Sequence, residues 1–117
     1  MDDQKINELV QRILSVVNPV QIILFGSRAR GDAHVESDYD VLIIAASDQP
    51  SHFRRCKPVY AATCGLGISK DILWLTPEQI AEQLNNGSDA LLKILQEGQV
   101  IYESKNESTR PAEESAA

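Results

Sequence analysis

GSRARGDAHVESDYD, residues 26–40, is the stretch whose reading decides the fold. It begins where a short apolar run, VQIILF from Val20 to Phe25, stops at Gly26-Ser27. It ends as a second run opens, DYDVLIIA from Asp38 to Ala45. Both runs are short, apolar and rich in β-branched residues, so each is expected to be a buried strand. Ser27 to Gly31 is expected to form a short helix, with 32–37 as a polar loop.

Side chains alternate along a strand. Asp38 and Asp40 therefore share a face with Leu42 and Ile44, and Tyr39 points the other way. A third run, ISKDILWL from Ile68 to Leu75, repeats the pattern: Asp71, then Leu73 and Leu75. If the second and third strands lie parallel, joined by a crossover through 51–64, the three carboxylates meet at one end of the sheet. At about 6 Å and an effective dielectric near 20, each such pair costs roughly 3 kcal/mol. That repulsion is tolerable only with cations between the groups or with proton uptake. Hard divalent ions such as Mg²⁺ favour carboxylate oxygen and leave positions open for phosphate, and a metal pair can bridge attacking and leaving oxygens. Gly26-Ser27 supplies a complement. Gly26 lets backbone come close, helix-start N–H groups bind phosphate, and the Ser27 hydroxyl can donate to it. Arg28 and Arg30 are nearby cations for a polyphosphate. Bringing Ser27 beside Asp38 and Asp40 requires the first two strands to be antiparallel.

Outward from this centre, Ile6, Leu9, Val10, Ile13, Leu14 and Val17 mark one face of a helix over 3–17, which Asn18-Pro19 should end. Residues 51–64 read as helical despite Pro58. Thr76-Pro77-Glu78-Gln79 carries a capping box with a first-turn proline, opening a helix over 77–84. Ser88 caps another that ends at Gly98, and 100–102 can form an edge strand. The order α-β-α-β-α-β-α-α-β gives an α+β (or α/β) fold: a small mixed sheet flanked by helices. Residues 1–102 form one domain, and 103–117 are expected to be a disordered acidic tail.

Composition sets limits. The 117 residues hold 11 Lys plus Arg against 17 Asp plus Glu, a formal charge of −6. That balance disfavours direct binding of duplex nucleic acid, which needs clustered cations. No apolar run approaches a bilayer span, and the acidic, amphipathic N-terminus is unlike a secretory signal. Cys56 and Cys64 are read as reduced, partly buried thiols of a cytoplasmic protein.

Gly-Ser, ten intervening residues, then Asp-x-Asp between two apolar strands resembles the signature of the polymerase β-like nucleotidyltransferase superfamily. The form GSRARG…SDYDVLI is most similar to its minimal nucleotidyltransferase group, over roughly residues 4–102. The resemblance implies that Gly26, Ser27, Arg28 and Arg30 hold a nucleoside triphosphate, ATP by resemblance. It implies that Asp38, Asp40 and Asp71 bind two Mg²⁺ ions, Mn²⁺ being an alternative, with Asp71 helping to activate an incoming hydroxyl. The short stretch after the third strand departs from larger members, whose C-terminal helical region binds the acceptor. The group resembled here acts as antitoxins that attach AMP to a tyrosine of HEPN-domain toxins. Two alternatives use the same residues: transfer to a small hydroxylated molecule, and a non-catalytic module that masks a toxin by contact.

Plainer roles are set beside these. The three aspartates could be solvated strand ends or pair with Arg28 and Arg30, and Ser27 could simply be a helix N-cap. His34 and His52 are expected to be solvated loop histidines. Arg54, Arg55 and Lys57 are expected on a solvated helix face, and Tyr39 and Trp74 in the core.

Overall fold

The computed structural model describes residues 3–34, 37–49 and 51–104. Helix α1 (Asp3–Leu14) leads into strand β1 (Gln21–Phe25) and a four-residue helix α2 (Ser27–Arg30). Strand β2 (Tyr39–Ile44), helix α3 (His52–Thr63) and strand β3 (Lys70–Leu75) follow. Helices α4 (Pro77–Asn85) and α5 (Asp89–Glu97) then lead to strand β4 (Gln99–Glu103). The element order is the expected one. Strand β4 runs one residue into the segment read as tail, and the expected disorder from 105 onward lies outside the described residues.

The sheet is mixed, in the order β3-β2-β1-β4. Strand β1 is antiparallel to β2, with Phe25 opposite Asp40. Strand β2 is parallel to β3, with Asp40 opposite Asp71. Strand β4 pairs antiparallel with β1, with an irregularity between Ile22 and Ile23. Both orientations required by the carboxylate argument are present.

Alternation sorts the side chains into two layers. Ile22, Leu24, Tyr39, Val41, Ile43, Ile72 and Trp74 face α1 and α3 in the larger core, which Leu9, Ile13, Cys56 and Val59 complete. Ile23, Leu42, Ile44 and Leu75 face the other way, against Leu91 of α5, with Ile80 of α4 packed at the margin. The caps agree with the sequence: Thr76 and Gln79 form the reciprocal box with Pro77 in the first turn, and Ser88 accepts from Leu91 N–H. Gly98 ends α5 where an added Cβ would lie 3.2 Å from Leu24 O, so the chain can turn into β4 close against β1.

Three expectations need correction. Helix α1 ends at Leu14, three residues short of Val17. Ser15 Oγ bonds Arg12 O at 2.6 Å, a local side-chain bond that competes with continued helix. Arg55 is buried, 6% exposed, rather than on a solvated face, because it lies on the side of α3 turned to β3. Of the two cysteines, which are both free, Cys56 is buried and Cys64 is exposed. No helix among the described residues is long and apolar enough to cross a membrane.

Candidate active site

Asp38, Asp40 and Asp71 fall on one face at one end of the sheet. Asp40 and Asp71 are register partners on parallel strands, and Asp38 precedes Asp40 by two, hence on the same side. Asp38 and Asp71 are exposed, and Asp40 is half-buried. The Asp40 carboxyl titrates above its ordinary range. Burial is the largest cause, followed by the negative charges of Asp71 and Asp38, with Arg30 opposing. The mutual repulsion argued from sequence is thus present. Among the described residues no ion pair neutralises any of the three.

These side chains do not form a closed cage. Among the described residues, no group of three Asp, Glu, His or Cys side chains is arranged to hold a metal ion. The cluster is open on its solvent side. Its donor chemistry nonetheless fits a hard divalent cation: carboxylate oxygens, uncompensated charge and a half-buried member whose ionised form lacks a counterion.

Gly26 joins the phosphate-binding candidates to this cluster. Its φ of +78° is open to glycine at little cost. An added Cβ would run into the Asp40 carboxylate, with Asp40 Cγ only 3.1 Å away. The β1–α2 bend is therefore seated directly on Asp40. Gly26, not Ser27, is the N-cap of α2, and no side chain caps the helix. This corrects the reading of Ser27 as a cap. Ser27 is the first helical residue, and its hydroxyl has no hydrogen-bond partner among the described residues. With α2 only four residues long, any anion affinity here comes from individual N–H groups and this hydroxyl, since a single turn sums few peptide dipoles.

The two arginines have structural partners. Arg28 stacks over the Tyr39 ring at 4.0 Å. It donates to Ser37 O from Nε (3.1 Å) and Nη2 (2.9 Å), and to His34 O at 3.3 Å. It thereby ties the loop before β2 to α2. Arg30 pairs with Asp32 at 3.2 Å and Glu97 at 3.5 Å, on the exposed surface. His34 is exposed as expected.

Sequence reasoning missed the role of α3 beside Asp71. Strand β3 is a sheet edge, and its outward groups are taken by α3 side chains. Ile72 N–H donates to Tyr60 Oη at 2.8 Å, and Trp74 N–H donates to His52 Nε2 at 3.0 Å. Arg55 Nη2 donates to Trp74 O at 3.3 Å, and Cys56 Sγ lies 3.8 Å from Ile72 O. His52 is exposed, as expected, but it is a helix residue with a defined acceptor role rather than a loop histidine. Its pKa lies below the ordinary histidine value, chiefly through burial and then the Arg55 charge, with Asp71 opposing. The available signal was the spacing of His52, Cys56 and Tyr60, four apart along one side of a helix. The seal also holds the strand that carries Asp71.

Comparison with known proteins gives the chain a family and its fold known neighbours. No curated protein matches the sequence. Among solved structures, a Sulfolobus solfataricus protein assigned as a nucleotidyltransferase is 22% identical with a TM-score of 0.60, over 88% of this chain and 81% of that one. A toxin–antitoxin complex with AMP-PNP is 19% identical with a TM-score of 0.56, over 89% of this chain and 77% of that one. A tyrosine-to-alanine variant of the toxin–antitoxin MntA–HpeT is 21% identical with a TM-score of 0.56, over 93% and 78%. At these identities the likeness is one of fold. Residues 4–107 match the polymerase beta nucleotidyltransferase family over nearly the whole domain, and the chain belongs to that family.

Proposed function

We propose that this nucleotidyltransferase moves AMP from ATP to a tyrosine hydroxyl of a HEPN-domain toxin, and so acts as the antitoxin of a cytoplasmic toxin–antitoxin pair. The observation that carries the catalytic part is the Phe25–Asp40–Asp71 register, which sets the Gly26-Ser27 bend against the Asp40 carboxylate with Asp71 beside it on the next strand. The partner is supported by two structural neighbours that are toxin–antitoxin complexes, one holding AMP-PNP. A further MntA–HpeT neighbour is a variant in which two aspartates, two positions apart, are replaced by glutamate. That is the spacing of Asp38 and Asp40.

In this reading the triphosphate lies over the end of the sheet. Ser27 Oγ and the first amides of α2 hold its outer phosphates. Asp38, Asp40 and Asp71 would hold Mg²⁺, which supplies charge neutralisation and Lewis acidity when bound. Asp71, exposed on the edge strand, takes the proton of the acceptor hydroxyl. The hydroxyl oxygen bonds to the α-phosphorus, the bond to the bridging oxygen breaks, and pyrophosphate departs with that electron pair. Arg28 orders the loop leading to Asp38, which keeps the first carboxylate in place.

The test is transfer of label from α-labelled ATP, with Mg²⁺, to a cognate HEPN toxin. Label on a toxin tyrosine, lost with Asp38→Asn and Asp40→Asn, is expected. Label on small hydroxylated compounds but not on protein would replace this reading with the small-molecule one. Toxin neutralisation undiminished in both variants would leave masking by contact.

A further inference from the structure

Among the four longer helices, α3 differs in charge. It carries Arg54, Arg55 and Lys57 and no acidic residue, whereas α1, α4 and α5 each carry glutamate, in a chain of net charge −6. Arg55 is buried, and its guanidinium donates to the carbonyls of Gln49 and Trp74. Among the described residues no carboxylate pairs with it. Arg54 and Lys57 face solvent. Beside them Phe53 is 73% exposed, more than any other large apolar side chain among the described residues.

One exposed phenylalanine is ordinary by itself. This one stands between two hollows. One, of about 440 Å³, passes Arg54, Lys57 and Pro58. The other, of about 460 Å³, passes Lys57 and Tyr60 and reaches Asp71. The second hollow thus connects an aromatic and cationic stripe to the residue placed here as proton acceptor. Aromatic anchors beside cations are the composition of interface hot spots. The β3 edge cannot add a partner strand, because the Ile72 and Trp74 amides are already bonded to α3. A partner must therefore meet side chains, and the ones on offer are Phe53, Lys57 and Tyr60.

We infer that the Phe53–Lys57–Tyr60 stripe of α3 is the docking surface for the hydroxyl acceptor, and that the acceptor is an acidic polypeptide segment whose aromatic hydroxyl reaches Asp71 along the hollow. The inference rests on the assignment of Asp71 to the transfer site. Charge complementarity selects an acidic segment. RNA fits less well, because only two exposed cations line the stripe and a polyanion is held by many. The aromatic rings of Phe53 and Tyr60 offer edge and face contacts to a phenol.

The test measures binding of the full chain to a random glutamate–tyrosine copolymer, a lysine–tyrosine copolymer and a single-stranded RNA oligonucleotide, by fluorescence anisotropy at fixed salt. The glutamate–tyrosine copolymer is expected to bind tightest. Phe53→Ala, and separately Arg54→Glu with Lys57→Glu, are each expected to weaken it at least about fivefold, the loss typical of an interface anchor. Lys93→Glu on α5 changes charge on another helix and should leave binding in place. Circular dichroism confirms folding of each variant. Equal or tighter binding of the lysine copolymer or RNA, or α3 variants that bind like the parent, would overturn the inference. Equilibrium dialysis with ATP and Mg²⁺ separates the two layers of the argument. Copolymer docking on α3 without ATP binding keeps the docking surface and removes the transfer reading. ATP binding with AMP transfer that ignores the α3 variants does the reverse.

Discussion

The two faces of one sheet are built for different ends. On the face toward α1 and α3, the strand residues from Tyr39 to Ile43 and from Ile72 to Trp74 are apolar and buried throughout. On the face toward α4 and α5, the same strands offer Leu42, Ile44 and Leu75, then stop being apolar at Asp40 and Asp71. Helix α4 contributes no buried residue, and Leu92 of α5 is 40% exposed. Cohesion is concentrated on one side, and the other accepts repulsion among carboxylates. A two-residue period in the strands is enough to divide the labour, since each residue serves only one face.

The comparison breaks first where packing is densest. Leu9 on α1 is fully buried in the larger core. Leu9→Ala should cost about 2–5 kcal/mol in urea denaturation. Leu92→Ala, on the sparser side, should cost about 1 kcal/mol or less. Equal losses would mean that the two faces contribute alike. Gly26→Ala attacks the junction between the cluster and the bend. It combines a left-handed backbone with a clash against Asp40. A loss of about 1–3 kcal/mol is expected, with ATP binding by calorimetry abolished because the bend must lift off Asp40.

Asp40→Asn should do the opposite to stability. It removes a half-buried charge repelled by Asp71 and Asp38. The gain should be on the order of 1 kcal/mol, a solvent-screened fraction of the full pair repulsion. The sign of the pH dependence follows. The folded chain holds the Asp40 proton more tightly than the unfolded chain, so this residue's contribution weakens as pH rises from the ordinary carboxylate range through the raised value. Asn at 40 should flatten that slope. Mg²⁺ should raise the parent's Tm more at neutral than at acid pH and should have little effect on the variant. A variant less stable than the parent in the absence of metal would contradict the repulsion.

Much of this was legible because it depends on parity and order. Asp38, Asp40 and Asp71 each precede apolar residues at even spacing, so facing and strand direction followed from one another. What stayed hidden depends on which side of a helix meets which edge. Nothing in HFRRCKPVY distinguishes Arg55, buried against β3, from Arg54, in solvent, until α3 is placed on the sheet. Arg28 looks like a phosphate cation in sequence, yet its stacking on Tyr39 and its bonds to Ser37 and His34 arise only when the loop folds back. Gly26 displaces Ser27 as the N-cap because the bend must pass over Asp40, a constraint across two strands rather than along one.

His52 provides the smallest effect and the sharpest check on how Asp71 is held. Its Nε2 must be unprotonated to accept from Trp74 N–H. Burial and Arg55 keep its pKa low, against the pull of Asp71, with the Cys56 thiol 3.4 Å from the same nitrogen. The unfolded chain takes up this proton first as pH falls. Stability from His52 is therefore lost on acidification from about pH 7, through the ordinary histidine range, and the loss levels off below the folded value. His52→Ala should cost about 0.5–1 kcal/mol at neutral pH, the worth of one hydrogen bond with water able to replace it. It should also erase that acid step. His34 is present in both proteins, so the difference between their stability profiles isolates His52. If both profiles keep the same step, then the edge of β3, and the carboxylate it carries, is held without the imidazole.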